Sequence, residues 1–257
     1  MIRTMRTARS LTALAAVLAA TTIAVAPSTG ATPLAGQSLP ANGQTAQTTP
    51  TSAPAAATAS AADFASIFAS QNGSLAGSGW ATCVAPIQWS LDSSGLTASE
   101  RTAQIKNLAW AFQQWSLASG LTFAFVGEQA VAYDDAAFTV TPADGSGVQT
   151  RHVYLDFVKA SESTRLDGGT VGLGSPSQVM PTSKEIVAGE AVFRTDHVKG
   201  ASNKELKSLY LHELGHVLGL AHAQVDSNIM YPIVSDHLRL GPGDVNGVKA
   251  MTKTCAA

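Results

Sequence analysis

The sequence predicts an α+β domain, and three observations carry that expectation. Short stretches alternate apolar and polar residues with the period of two that a half-buried strand requires, residues 86–91 among them. Two longer stretches, 97–116 and 204–218, repeat apolar residues at helical spacing. The elements run strand, helix, strands, helix, turn, helix, over roughly 180 residues (76–257), which is one domain with a sizeable core.

Residues 86–91, Pro-Ile-Gln-Trp-Ser-Leu, alternate and form the first strand. Thr97 or Ser99 caps the first helix, along which Ile105, Leu108, Ala109, Phe112 and Trp115 make an apolar stripe for the core. Residues 121–126 and 152–158 read as the next strands. The glycine-rich run 168–174 leads into or forms an edge strand, and residues 186–195 form another. Ser202 or Asn203 caps the second helix, and a final helix spans residues 243–251.

The chain upstream reads as a leader and a spacer. Arg3, Arg6 and Arg9 precede an apolar run from Leu11 to Val25, and small residues follow, so residues 1–31 are expected to be a signal peptide cut near Ala31. The run is too short and too weakly flanked for a membrane span. Residues 32–75 are expected to be a disordered linker or pro-segment, because Ala, Thr, Pro, Ser, Gln and Gly dominate and no charge occurs before Asp63. Loss of the three arginines moves the net charge from −2 to about −5, which disfavours nucleic acid or an anionic membrane as a partner. In an exported chain the two cysteines, Cys83 and Cys255, suggest one disulfide closing nearly the whole domain, which contributes roughly 4–5 kcal/mol on the chain-entropy model.

The strongest chemical signal is His212-Glu213-Leu214-Gly215-His216-Val217-Leu218-Gly219-Leu220-Ala221-His222. Four-residue spacing places His212 and His216 on one helix face, where both can offer a ring nitrogen to one tetrahedral Zn²⁺. Glu213, one residue round the helix, reaches a water beside the ion rather than the ion itself. Gly219 ends the helix through left-handed backbone, and the chain returns with His222. Three protein ligands leave one position open, the mark of a catalytic rather than a structural ion.

This pattern resembles the extended signature of the metzincin endopeptidases. Ser227-Asn228-Ile229-Met230-Tyr231-Pro232, with Met230 eight residues after His222, resembles the Met-turn of the matrixin branch. By itself Met230 is an ordinary gap-filling residue; after this motif it reads as the apolar floor beneath the histidines. Residues 109–116 with 121–123, 189–193 and 240–251 are similar to further matrixin segments. The resemblance implies a twisted mixed β-sheet with an edge strand along the cleft, two long helices, one carrying the zinc site, and a C-terminal helix. It implies one catalytic zinc on His212, His216 and His222, with Glu213 as general base. It also implies a peptide laid antiparallel along the edge near Val171 and Leu173, and a side-chain pocket shaped by Tyr231, Pro232 and His237. Tyr231 follows the methionine directly, so it reads as structural or pocket-lining, not as a ligand.

The departures from the family pattern are also informative. Residues 159–187 contain no histidine, so a second, structural zinc is not expected. Asp156, Asp167 and the glycines after it are candidates for calcium or ordinary loop acids. His152 and His197 read as non-ligands. Cys83 stands in Ala-Thr-Cys-Val-Ala-Pro rather than the Pro-Arg-Cys-Gly type of zymogen latch, which favours the disulfide. The expectation is a secreted, monomeric zinc endopeptidase acting on protein or peptide, with no nucleic acid partner and no stable membrane anchor. The alternative is a secreted zinc-containing binding or adhesion module with little turnover, and Glu213 counts against it.

Overall fold

Local chemistry sets the helix starts in this structure, a computed structural model that describes residues 61–70, 75–166, 169–234 and 236–254. Residues 1–31, Asp167 and Cys255 lie outside the described residues. In chain order come a 3₁₀ turn (Ile67–Ser70), β1 (Trp80–Ala81), β2 (Ile87–Asp92), α1 (Ala98–Ser119), β3 (Phe123–Glu128), β4 (Val131–Asp134), β5 (Thr139–Pro142) and β6 (His152–Val158). After a 3₁₀ turn (Ala160–Glu162) follow β7 (Gly172–Met180), β8 (Glu185–Arg194), α2 (Thr195–Gly200), α3 (Asn203–Val217), α4 (Pro242–Ala250) and β9 (Thr252–Lys253). Thr97 begins α1 with a full capping box, its own N–H donating to Glu100 Oε2 at 2.7 Å. The Ser202 hydroxyl caps α3 by accepting from Glu205 N.

The main sheet has the order β3-β2-β6-β8-β7, with β7 antiparallel at one edge and the other four strands parallel. The expected mixed α+β sheet is therefore present. β6 shows why it is covered on both faces. Val153, Leu155 and Phe157 join the core beneath α1 and α3, while Tyr154 and Val158 join a second cluster with Phe138, Val140, Leu166, Leu173 and Val192. That second cluster lies under the β4–β5 hairpin, which the sequence reading did not anticipate. α1 and α3 are tied directly: Trp115 Nε1 donates to Leu211 O at 2.9 Å, and the Tyr210 hydroxyl donates to Gln104 Oε1 at 2.8 Å. Trp80 Nε1 donates to Val217 O at 3.0 Å, satisfying one of the carbonyls left open at the C-terminal end of α3.

The edge strand spans Gly172–Met180, so the glycine-rich run 168–174 leads into it. One expectation needs correction: the packed chain begins before residue 76. Phe68 is fully buried, Ile67 N donates to Gly219 O at 3.0 Å, and Ser66 bridges Leu220. Averaged composition across 32–75 concealed Phe64, Ile67 and Phe68, which have enough apolar surface to dock. At the far end β1 and β9 pair in parallel, Trp80 with Thr252 and Ala81 with Lys253, so the two ends of the domain meet. No helix among the described residues is long and apolar enough to cross a membrane.

Candidate metal centre

α3 carries His212 and His216 one turn apart, both buried, and the turn after it returns His222 beside them. Gly219 makes that turn at φ +101°, and Leu220 N closes it onto Gly215 O at 3.0 Å. His212 Nδ1 lies 2.7 Å from Ile229 O, and His216 Nδ1 lies 2.7 Å from Leu220 O. A carbonyl oxygen only accepts, so each Nδ1 carries the proton and each Nε2 is left as a bare lone pair. Yet His216 Nε2 lies 3.1 Å from His212 Nε2 and 3.3 Å from His222 Nε2. Two bare lone pairs that close repel unless they share a cation. Tetrahedral zinc bonded at about 2.0–2.1 Å spaces its nitrogens about 3.3–3.4 Å apart, so the donor set fits the ion.

The electrostatics agree. Burial is the main cause holding all three imidazoles below the usual histidine range, His212 at about 3 with His222 adding to the shift, and His216 well below. The histidines are thus neutral, the ligand form. Glu213 is fully buried, and neither carboxylate oxygen has a hydrogen-bond partner. Burial pushes its carboxyl well above the usual range. An orphaned buried carboxylate is costly unless a cation or a proton accompanies it. A cation held by the neighbouring histidines would offset that cost.

Met230 is buried, and its sulfur packs on the Gly215 side of α3 together with Trp115. The Met-turn hangs from a carboxylate that the sequence analysis did not single out. Asp244, at the third position of α4, accepts from Ile229 N (2.6 Å), Met230 N (3.1 Å) and Gly241 N (2.7 Å). Burial raises its carboxyl while these three donors hold it down. The signal for this role was an acid in the first turn of the last helix.

The edge residues are arranged differently from expectation. Val171 and Leu173 are buried, Leu173 within the cluster under the hairpin. Arg194 N donates to Val171 O at 2.9 Å and Leu173 pairs with Val192, which turns the backbone groups of both toward β8. By alternation the open edge is offered by Gly172 and Gly174. Gly172 also stands against the Glu213 carboxylate. Tyr231 and Pro232 are half-buried in the turn after Met230. His237 is exposed and rims a hollow of about 430 Å³ with Lys204, Ser227, Asp236, Leu238 and Arg239.

Asp156 lines a separate cavity of about 370 Å³ at the carboxyl ends of β2 and β6, where burial and the neighbouring Asp92 push its carboxyl up to about 7. It belongs to no metal-sized cluster among the described residues, in which the histidine triad is the group that does. His152 sits in the sheet, its Nε2 2.8 Å from Ser90 Oγ, and His197 lies in α2, away from the triad.

The chain is 29% identical over 147 residues to the interstitial collagenase of Sus scrofa, covering 55% of this chain and 26% of the relative, and equally to that of Equus caballus. It is 39% identical over 62 residues to the metalloendoproteinase 4-MMP of Arabidopsis thaliana, covering 23% of this chain and 18% of the relative. This chain thus spans about a quarter or less of the length of the curated relatives it matches. The profile of the matrixin family matches residues 80–252. That match runs from the first strand to the last and takes in the triad and the Met-turn alike, and on it this chain belongs to the matrixin family.

Proposed function

We propose that this chain is a secreted zinc-dependent endopeptidase, with His212, His216 and His222 holding one zinc ion and Glu213 as general base. What carries the reading is the coincidence, in one buried place, of converging imidazole nitrogens and a carboxylate with no other partner. A zinc ion held there supplies Lewis acidity for a substrate carbonyl and for water. The remaining work falls to the chain's own residues. Gly172 and Gly174 offer their outward N–H and C=O groups to an antiparallel peptide strand, which sets the scissile bond across the site. The Glu213 carboxylate takes a proton from the attacking water and gives it to the amine nitrogen as the C–N bond breaks. Its raised proton affinity suits that transfer. Tyr231, Pro232 and His237, on the segment after Met230, are the candidates for the side-chain pocket.

Secretion rests on the basic and apolar leader of residues 1–31. We also assign Cys83 and Cys255 to one disulfide, supported by the β1–β9 pairing and by Thr82 N donating to Lys253 O at 3.0 Å. Casein or gelatin hydrolysis tests the proposal. The wild type is expected to cleave, the Glu213→Ala variant to fall at least about a hundredfold while keeping its metal, and chelation to abolish turnover reversibly. Undiminished cleavage by Glu213→Ala overturns the mechanism. Absence of cleavage by the zinc-loaded wild type across a peptide library favours a binding module.

A further inference from the structure

His222 is the one ligand of the triad that α3 does not carry, so something else must hold its segment in place. On one side Ala223 N donates to Met230 O at 2.8 Å, joining that segment to the Met-turn. On the other side lies a stretch upstream of the family match, which begins at residue 80. Ala65 O accepts from Ala221 N at 2.8 Å, and Ile67 N donates to Gly219 O at 3.0 Å, an antiparallel rung on either side of the Ser66–Leu220 bridge. Phe68 is buried beneath the Gly219 turn, and Phe64 packs on α4 at Gly247. Beyond these rungs the Asp63 carboxylate accepts from Gln224 N (2.8 Å), Val225 N (2.9 Å) and Asn228 Nδ2 (2.7 Å). Asn228 Oδ1 in turn accepts from Gly243 N at 3.1 Å.

We infer that residues 63–68 form a brace for the metal centre, and that Asp63 is a positioning residue for His222. One carboxylate ties the two residues that follow Ala223 to the start of the Met-turn, so the stretch containing His222 is clasped at Leu220–Ala221 and again at Gln224–Val225. Charge-assisted bonds to backbone N–H groups are about twice as strong as neutral ones, which suits a single side chain to this task. Removing Asp63 leaves these donors unsatisfied and frees the loop, while the helical pair His212 and His216 stays in place. A consequence is that any processing that leaves an active enzyme cuts upstream of Asp63. The inference rests on the zinc reading above.

The test uses the full-length chain loaded with zinc or cobalt, in wild-type, Asp63→Ala, Asp63→Asn and Val140→Ala forms. Val140 lies on β5 and is buried in the second cluster, apart from the brace, and serves as a control for general destabilisation. Metal affinity is read by chelator competition, ligand geometry by the visible spectrum of the cobalt form, and stability by thermal unfolding of the metal-free form. Loss of groups that orient metal ligands typically weakens metal binding 10–100-fold, so Asp63→Ala is expected to weaken it at least about tenfold with an altered cobalt spectrum. Asp63→Asn, which keeps one acceptor oxygen but sets an amide against Asn228 Nδ2, is expected to fall between, and it carries the test should the alanine variant not fold. Val140→Ala is expected to lower the unfolding temperature with metal affinity and spectrum unchanged. Wild-type affinity and spectrum in both Asp63 variants overturn the brace while leaving the zinc reading intact. Equal metal loosening in Val140→Ala overturns it as well, since destabilisation alone would then suffice. Failure of the wild type to bind metal overturns the zinc reading, and the brace with it.

Discussion

Gly172 and Gly174 lie two residues apart on β7 and face the same neighbour, yet they constrain different things. A Cβ at Gly172 would meet the Glu213 side chain, with Oε1 at 2.7 Å and Cγ at 2.9 Å. A Cβ at Gly174 would run into the Glu213 main chain. A side-chain terminus can swing aside, whereas a helix backbone packed on a sheet cannot move without the core. On the proposed mechanism the Gly172→Ala variant is therefore expected to fold and keep its metal, with kcat/KM down about tenfold or more because the Glu213 carboxylate is displaced. Gly174→Ala is expected to cost on the order of 2 kcal/mol of stability. Metal content, kinetics and thermal unfolding of the pair check this, and equal behaviour of the two would refute it.

At the scale of elements, the β4–β5 hairpin closes the second face of the sheet through a buried acid. Glu190 on β8 is 3% exposed, and its carboxyl oxygen accepts from Val140 N at 2.8 Å. Burial pushes its carboxyl from the ordinary 4.5 up to about 8, with the Val140 N–H opposing. The folded chain keeps this proton to about pH 8 and the unfolded chain releases it near 4.5, so this group's stabilisation is complete below about 4.5 and is lost as pH rises through 8. Glu190→Gln retains an acceptor for Val140 N–H and removes the titration. The variant is expected to match the wild type near pH 4.5 and to exceed it by on the order of 2 kcal/mol at pH 8. Denaturant midpoints across that range decide, and a wild-type slope that survives in the variant counts against the assignment. The hairpin was hard to read from the sequence because each strand is four residues long. The alternation in Thr139-Val140-Thr141 was there to find, but so short a signal does not stand above background. α1 and α3 were legible because a capping residue and a long apolar stripe both mark each of them.

For the whole molecule, the ends matter most. β1 and β9 bring residues 80–82, which directly precede Cys83 in the chain, alongside residues 252–253. A disulfide closing so long a loop removes unfolded-state entropy worth roughly 4–5 kcal/mol. Cys83→Ser, or reduction of the wild type, is expected to lower the unfolding free energy by about that amount and the denaturant midpoint with it, with metal still bound in the folded state. Identical midpoints for oxidised and reduced chains would show the cysteines unpaired. The same end-to-end closure accounts for the misplaced domain boundary. Composition describes a segment alone, whereas Asp63, Ile67 and Phe68 find their partners some 150 residues away.

The sequence by itself determined the histidine triad, the buried acid beside its first member, the Met230 turn and the long helices, because spacing along a helix and through one tight turn is a local property. Only the tertiary structure decided which backbone groups of β7 face outward, that a hairpin covers the sheet, and that residues 63–68 clasp the His222 loop. Those depend on strand register and on contacts between distant parts of the chain, where a one-residue slip reverses every face and no local pattern records the partner.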